Sequence, residues 1–302
     1  MLPMLSLTFS TIDRSGRFPD RARRFVAVTF TANCLLAFAG ACGLLALQGA
    51  AVVVADEPPR IVAHRGLLLQ APENTLPNFR ACLALSLGFE FDVERTKDDA
   101  LVCIHDASVD RTTDGSGLVA DLTLDQLRKL DAGGWFDPRF AGARVPTIDE
   151  LFALIAQDRD RPVLIAVDLK AAGVEEGVVR SAVKHRVLDR LLFIGRTISD
   201  PEVRKRLKGA SAQAQVAIVA NDAAEFPAAA SATDADWVYF RYLPTRGEVD
   251  TVHRAGKRAF IAGITVSGNV PDHWRVAIDA GIDAILTDYP LELTSLLREK
   301  AR

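Results

Sequence analysis

Histidines and carboxylates recur in the apolar, β-branched segments of the first half of this chain. His64 and Arg65 end one such segment, and Glu90 and Asp92 lie within the next. Successive side chains of a strand point to opposite faces, so Glu90 and Asp92 share a face about two residues' rise apart. Two neighbouring carboxylates repel each other, and a divalent cation that prefers hard oxygen ligands, Mg²⁺ or Ca²⁺, would relieve that repulsion. Because no cysteine is close by, zinc suits the pair less well.

Further residues extend this set. Asp168 and Lys170 share one face of a later strand, and Asp168 offers a third carboxylate ligand. His64 and His105 end two predicted strands, and the ordinary pKa of an imidazole suits general acid and general base catalysis. Arg65 and Lys170 would neutralise the charge of a phosphate group. These residue types suit acid–base chemistry on a phosphate-containing ligand.

The elements that must position these residues alternate between strand and helix patterns from residue 56 to the C-terminus. About eight such units in roughly 245 residues predict a (β/α)₈ TIM barrel, if the segment from Ala100 to His105 extends the second strand unit. A doubly wound sheet is the alternative. The strands are predicted at Arg60–Gly66, Gly88–Thr96, Ala100–His105, Val163–Lys170, Leu191–Gly195, Gln215–Ala220, Trp237–Tyr242, Arg258–Val266 and Ile282–Thr287.

The barrel bears on how the polar residues are interpreted. A histidine at a strand end often makes only a structural hydrogen bond, and an E-x-D pair is often a solvated face. Asn74 suits the N-cap of the following helix, with Glu73 near its positive end, so the PENT segment has a structural interpretation as well. Active sites of (β/α)₈ barrels lie at the carboxyl ends of the strands, however. The clustering of so many polar residues at those ends favours a role in an active site over a purely structural one.

Residues 107–146 interrupt the alternation. The segment is rich in Asp, Gly and Thr and contains DRTTDGSG and DAGGWFDPRFAG. It predicts a small insertion after the second strand unit, with a short helix near Thr123–Leu130. Loops of this length in a compact domain usually have a function.

The first 55 residues have the order of an export leader or a membrane anchor. Five arginines precede residues 25–55, which contain no charged residue. We predict a cleaved signal peptide, and hence a periplasmic or extracellular protein, with a membrane anchor through residues 25–55 as the alternative. Residues 56–302 form the predicted catalytic domain.

The composition of that domain excludes some partners. The leader carries five arginines and two aspartates, so the net charge of −3 becomes −6 without it. Such an acid excess gives no general attraction for nucleic acid, and a phosphate ligand needs local cations or a metal. Cys82 and Cys103 do not make a disulfide framework. A small-molecule substrate is therefore expected.

Five short motifs in order resemble the glycerophosphodiester phosphodiesterase family. They are HRG at 64–66, PENT at 72–75, E-x-D at 90–92, HD at 105–106 and TDYP at 287–290. The resemblance extends from about Arg60 to the C-terminus. It implies a (β/α)₈ barrel and a metal-dependent phosphodiesterase that cleaves glycerophosphodiesters to glycerol 3-phosphate and an alcohol.

The resemblance also implies roles for individual residues. His64 and His105 match the acid–base pair, and Arg65 matches a phosphate contact. Glu90 and Asp92 match metal ligands, with Glu73 and Asn74 of the PENT segment as supports of the site. Asp168, two residues before Lys170, stands where the family commonly has Glu. A Gly-Ile-Thr-Val-Ser stretch at 263–267 stands near the place where the family often shows Trp-Thr-Val-Asn.

Two other functions compete with this one. A lipid-directed phospholipase D, acting on lysophospholipids or sphingolipids, would use the same metal site and an apolar rim, which Trp135 and Phe136 could provide. A non-catalytic module would bind phosphodiesters on the same barrel. In the hydrolytic case the attacking oxygen belongs to water, or to a glycerol hydroxyl that acts through a cyclic phosphate.

Overall fold

The computed structural model of the protein describes residues 57–158 and 163–300. The predicted leader at 1–55 lies outside these ranges and stays a prediction. Within the described ranges, no helix is both long enough and apolar enough to cross a lipid bilayer.

Eight parallel strands close into a barrel, which confirms the predicted fold class. The sheet order is β1-β9-β8-β7-β6-β5-β4-β2-β3, and a further pairing of β1 with β2 closes the ring. The strands are β1 Arg60–Ala63, β2 Gly88–Arg95, β3 Leu101–Cys103, β4 Ile165–Leu169, β5 Leu191–Gly195, β6 Gln215–Ala220, β7 Trp237–Phe240, β8 Arg258–Ile261 and β9 Ala284–Thr287.

Strand β3 does not belong to the barrel. It runs antiparallel to β2, with Val93 opposite Cys103, so the segment extends the second strand unit as a hairpin and adds no ninth strand to the barrel, as predicted. A parallel strand needs a long crossover, whereas Arg95 and Leu101 are close enough in sequence for a hairpin. The chain turns back on itself and returns to the rim of the barrel.

Helices follow most of the barrel strands and cover the outside of the sheet. Several begin at a capping box, such as Thr147 with Glu150 and Thr245 with Glu248. Two of them, α5 and α7, are short and have no apolar repeat long enough to predict. The helices are α1 Leu76–Ala84, α2 Leu124–Leu127, α3 Ile148–Gln157, α4 Glu175–His185, α5 Arg196–Ser199, α6 Pro201–Ala210, α7 Phe226–Ser231, α8 Arg246–Arg254, α9 Pro271–Ala280 and α10 Pro290–Lys300.

Alternate strand residues fill the interior of the barrel. One buried cluster contains Val62, Leu164, Ala166, Leu192, Ile194, Ala217, Trp237, Tyr239, Phe260, Ala284 and Leu286. Because side chains alternate faces, the residue two positions further along each strand also faces inward, at the carboxyl end. This rule places His64 after Val62, Asp168 after Ala166 and Asp288 after Leu286 at the mouth of the barrel.

The 107–146 segment packs around its own apolar cluster, which includes Val109, Val119, Leu127, Ala132 and Val145. The cluster continues to Val102 of β3 and to Ile104, which directly follows that strand. A capping box between Thr123 and Gln126 begins the short helix α2. The segment is thereby anchored beside the carboxyl end of β2.

Candidate active site

The first histidine of the site is held by the last barrel strand. The His64 backbone N–H donates to the Thr287 carbonyl at 3.0 Å, which continues the pairing of β1 with β9. The imidazole Nδ1 lies 2.7 Å from Oδ1 of Asp288. A carboxylate oxygen accepts, so Nδ1 is assigned the proton and Nε2 is the unprotonated nitrogen. Asp288 belongs to the TDYP motif, but nothing in the sequence indicated its contact with His64.

The HRG turn aims backbone groups at the neighbouring strand. Arg65 has a left-handed φ of 54°, and its N–H donates to Oε2 of Glu90 at 2.9 Å. Gly66 follows at φ 85°, and a Cβ there would lie 2.1 Å from Oδ1 of Asn78. That amide oxygen accepts from the Leu67 N–H at 2.6 Å. A glycine is needed because no side chain fits between this turn and α1.

Three carboxylates meet at the mouth of the barrel. The pairing of β2 with β4 sets Asp92 opposite Asp168, and Glu90 lies two residues earlier on the same face. Oxygens of Glu90, Asp92 and Asp168 all lie within 4.8 Å of one another. Burial, followed by the charges of Asp92 and Asp168, raises the pKa of Glu90 well above its usual value. Burial likewise raises the pKa of Asp168, against the opposing effect of Lys170.

This trio fits a divalent cation. All of its donors are hard oxygens, and Glu90 and Asp92 are only 2% and 1% exposed. Oδ1 of Asp92 is buried and accepts no hydrogen bond from the described residues, although the Lys170 ammonium lies 3.2 Å away. Lys170 also lies 2.7 Å from Oδ2 of Asp168. The lysine therefore contacts the carboxylates, and these charges raise its pKa although burial acts to lower it.

A cysteine lies closer to the trio than the sequence indicated. Cys103 faces Val93 across the β2–β3 pair and is buried. Burial raises the pKa of its thiol well above the usual value, and the charge of Asp92 adds to this effect. The sulfur is therefore a protonated thiol, whereas a metal ligand would be a thiolate.

Asn74 does not cap the helix, so that prediction is wrong. Helix α1 begins after Thr75, and no side chain caps it. The Asn74 amide instead bonds Asp92 twice: Nδ2 donates to Oδ2 at 2.8 Å, and Oδ1 accepts from the Asp92 N–H at 3.1 Å. The side chain cannot cap the helix because it is committed to the neighbouring strand. Asn74 thus holds a carboxylate of the trio in place.

Glu73 joins two arginines and does not act at the helix end. Its Oε1 accepts from Nη1 of Arg65 at 3.3 Å. Both of its oxygens accept from Arg111 of the 107–146 segment, at 2.7 and 2.9 Å. Nε of Arg111 donates to Oδ2 of Asp106 at 2.7 Å, and Oδ1 of Asp106 lies 2.6 Å from Nδ1 of His105.

This chain of contacts connects the second histidine to the trio. Hydrogen bonds from Arg111 and then His105 hold the pKa of Asp106 well below its usual range, so Asp106 is ionised. Nδ1 of His105 therefore donates, and no described residue bonds its Nε2, as in His64. His105 also lies within electrostatic range of Asp168, whose pKa it lowers. Arg111 gave no signal in the sequence beyond its place in a loop rich in turn residues.

Gly195, at the end of β5, leaves the space in which Asp168 lies. A Cβ on Gly195 would lie 1.8 Å from Oδ1 of Asp168, and the φ of Gly195 is 67°. Gly195→Ala is therefore expected to push the carboxylate out of the trio and to weaken the binding of Mg²⁺ or Ca²⁺ about tenfold or more. Titration calorimetry with each cation measures the change.

Gly209→Ala is the matched control for that variant. Gly209 lies in α6, and a Cβ there meets nothing within 4 Å. Alanine favours the helix, so the control should keep its cation affinity and gain slightly in the free energy of unfolding. Unchanged affinity in a folded Gly195→Ala protein would remove Asp168 from the cation site.

Curated proteins are similar in sequence to part of this chain. A glycerophosphodiester phosphodiesterase of Caldanaerobacter subterraneus subsp. tengcongensis is 40% identical over 139 residues, which are 44% of this chain and 56% of that protein. One of Bacillus subtilis is 34% identical over 175 residues, or 52% of this chain and 60% of that protein. The chain thus spans little more than half the length of these curated relatives.

Solved structures cover more of the chain. A glycerophosphodiester phosphodiesterase of Agrobacterium tumefaciens superposes with a TM-score of 0.66 at 25% identity and covers 77% of this chain and 97% of its own. An Oleispira antarctica phosphodiesterase, solved with the product sn-glycerol-3-phosphate, gives 0.64 at 25% identity and covers 80% and 97%. The family model described as glycerophosphoryl diester phosphodiesterase matches residues 64–292. The chain therefore belongs to the glycerophosphoryl diester phosphodiesterase family.

Proposed function

We propose that this protein hydrolyses glycerophosphodiesters to glycerol 3-phosphate and an alcohol, with a divalent cation as cofactor. The observation that carries the proposal is the buried trio of Glu90, Asp92 and Asp168 at the barrel mouth, beside two histidines that each have Nδ1 bound to an aspartate. The names of the relatives support the substrate class, and the product bound to the Oleispira antarctica phosphodiesterase supports glycerol 3-phosphate.

The cofactor has an electrostatic role in this proposal. Glu90, Asp92 and Asp168 would hold Mg²⁺ or Ca²⁺, which supplies charge neutralisation at a phosphate oxygen. Asn74 fixes Asp92 through its two hydrogen bonds, and the Arg65 N–H fixes Glu90. These supports hold the carboxylates in position before a substrate enters, which reduces the reorganisation needed during the reaction.

The histidines transfer the protons of the reaction. With Nδ1 held by Asp288 or Asp106, each ring presents Nε2 to the substrate. One neutral imidazole removes the proton of the attacking oxygen, and the other, as imidazolium, protonates the departing alkoxide. The aspartates fix the tautomer and stabilise the charge of each protonated ring.

Arg65 and Lys170 serve the remaining phosphate oxygens. Nε of Arg65 is buried, makes no hydrogen bond with a described residue and lies 3.8 Å from Oδ2 of Asp92, so the guanidinium stands directly beside the trio. Lys170 lies 2.7 Å from Asp168 and 3.2 Å from Asp92, beside the position of the scissile phosphate. Both cations oppose the negative charge that accumulates at phosphorus.

A lipid-directed phospholipase D is the second candidate, and exposed apolar side chains favour it. Leu69 follows β1, and Ile264 and Val270 follow β8, so all three lie on loops that leave the carboxyl end of the barrel. Their side chains are 48%, 39% and 39% exposed, and Trp135 of the 107–146 segment is 42% exposed. Such side chains could contact the acyl chain of a lysophospholipid.

A substrate panel separates these functions. We expect release of glycerol 3-phosphate from glycerophosphocholine and glycerophosphoethanolamine, loss of activity with a chelator, and recovery on addition of Mg²⁺ or Ca²⁺. Faster turnover of lysophosphatidylcholine, with choline as a product, would favour the phospholipase D. Binding of diesters without turnover under any of these conditions would instead indicate a non-catalytic module and contradict the proposal.

A further inference from the structure

We propose that Arg241 binds an anionic group, a carboxylate or a phosphate, on the alcohol portion of the diester. The protein would then favour diesters whose alcohol carries a negative charge in addition to that of the scissile phosphate. The inference rests on the proposed function, in which the scissile phosphate is bound at the trio of Glu90, Asp92 and Asp168. It adds a subsite for the other end of the substrate.

The backbone places Arg241 on the inner rim of the barrel. Tyr239 of β7 belongs to the interior cluster, and Arg241 is the next residue of the same parity. Its N–H donates to the Ala220 carbonyl at 3.1 Å, which continues the pairing of β7 with β6 past the end of the strand. The backbone is therefore still paired at Arg241, and the side chain starts from the inward face.

Arg241 stands across the mouth from the trio. In the closed ring, β7 is separated from β2 by three strands in either direction. Strand β2 carries Glu90 and Asp92. A diester whose phosphate is held at β2 would extend its alcohol across the opening of the barrel toward β7. The Arg241 guanidinium at the end of β7 is thus positioned to contact the part of the alcohol farthest from the scissile bond.

Both sides of the mouth influence the pKa of Tyr239. Burial raises the pKa of the Tyr239 phenol, Arg241 opposes this rise, and Asp168 and Glu90 add to it. The phenol therefore lies within electrostatic range of both the acidic trio and the guanidinium. A substrate lying over Tyr239 would extend from the acidic trio toward the guanidinium of Arg241.

The guanidinium of Arg241 belongs to an exposed residue and has no carboxylate partner in the described ranges. Arg65, Arg111 and Lys170 are each paired with a carboxylate at the mouth. Arg241 forms no ion pair with a residue of the described ranges, and its Nη1 reaches Oδ1 of Asn221 only at 3.4 Å. The amide nitrogen of Asn221 donates to Glu225 at 2.7 Å, which turns its oxygen toward the arginine.

Pairs of diesters that differ in a single charged group test the proposal. Glycerophosphoserine differs from glycerophosphoethanolamine by a carboxylate, and a ring monophosphate of glycerophosphoinositol differs from glycerophosphoinositol by a phosphate. In the unmodified protein, kcat/KM should be higher for the charged member of at least one pair. Arg241→Gln should reduce that advantage about five- to tenfold, mainly through KM, because the contact is far from the reacting atoms.

Two control measurements test whether the effect is specific to anionic alcohols and to Arg241. Turnover of glycerophosphocholine, whose alcohol is cationic, should change less than about twofold in Arg241→Gln. Arg180→Gln replaces an exposed arginine of α4, outside the barrel, and should leave every ratio unchanged. A response in the serine pair assigns the subsite to carboxylates, and one in the inositol pair assigns it to phosphates; either supports the inference.

Failure of this inference can be told apart from failure of the proposed function. Equal kcat/KM ratios in the active unmodified protein and in Arg241→Gln would overturn the subsite and leave the hydrolase intact. If the unmodified protein hydrolyses none of these diesters with Mg²⁺ or Ca²⁺, the proposed function is overturned and the subsite with it.

Discussion

His105→Ala is expected to lower kcat for glycerophosphocholine about a hundred- to ten-thousandfold, and His64→Ala should have an effect of the same order. Each ring has Nδ1 within 2.7 Å of an aspartate oxygen, which leaves Nε2 for the proposed proton transfer. Alanine removes the proton transfer and leaves the carboxylate trio unchanged. Steady-state kinetics at saturating substrate and cation measure the loss.

The fold should survive both substitutions, so the loss can be attributed to chemistry. His64 and His105 are about a quarter exposed, at 22% and 29% of the side chain, and neither fills the core. The midpoint of thermal unfolding and the affinity for Mg²⁺ should therefore stay close to those of the unmodified protein. A folded variant that retains activity within twofold would contradict the catalytic assignment of that histidine.

The chain contains a matched control at the opposite end of the barrel. His253 of α8 pairs with Asp283 through an Nε2 to Oδ2 contact of 2.8 Å, and Asp283 immediately precedes β9. This pair therefore lies at the amino end of the strands. His253→Ala should keep full activity, because a histidine–aspartate pair catalyses only where it faces the trio.

The features that depend on local periodicity, such as the face of a strand on which a residue lies, were predictable from the sequence. Alternation along β2 placed Glu90 and Asp92 on one face, and the barrel rule placed His64 and Asp168 at the same end. The predicted strands ran too long where apolar residues continue beyond the paired ladder, as in Arg258–Val266 against the observed Arg258–Ile261. Alternation identifies the inward face but does not determine where pairing ends.

Contacts between residues distant in the chain were not predictable in the same way. Asn74 bonds Asp92 across 18 positions, Arg111 bonds Glu73 across 38, and Asp288 bonds a histidine across 224. Local signals assigned Asn74 to a helix cap because Asn often has that role. The choice between cap and carboxylate partner depends on where β2 lies, and that position is a property of the closed barrel.

Glu90→Gln is expected to weaken the binding of Mg²⁺ or Ca²⁺ at least about a hundredfold and to stabilise the cation-free protein. Glu90 is buried beside Asp92 and Asp168, so its charge is unfavourable unless a cation is bound. The Gln oxygen can still accept from the Arg65 N–H that now bonds Glu90 at 2.9 Å. The substitution therefore removes a charge and keeps the hydrogen bond.

The control for this variant is a buried glutamate that lies beside an arginine, whereas Glu90 lies beside two carboxylates. Glu175 is 3% exposed, and its Oε1 accepts from Arg206 at 2.8 Å. Glu175→Gln weakens an ion pair, so it should lower the free energy of unfolding and leave cation affinity unchanged. If Glu90→Gln raises the free energy of unfolding and Glu175→Gln lowers it, the neighbouring charges, and not burial as such, decide the effect.

The pH dependence of stability gives an independent measurement on Glu90. In the folded, cation-free protein the pKa of Glu90 is raised, so the folded state keeps a proton that the unfolded chain has released. The free energy of unfolding should therefore fall as pH rises from the unfolded value, about 4.3, through the raised folded value. Glu90→Gln should make this decline shallower, with Asp168 accounting for part of what remains. Urea unfolding with a chelator, repeated with saturating Mg²⁺, measures both effects. If the decline has the same slope in both proteins and cation affinity is unchanged, Glu90 is not part of the cation site.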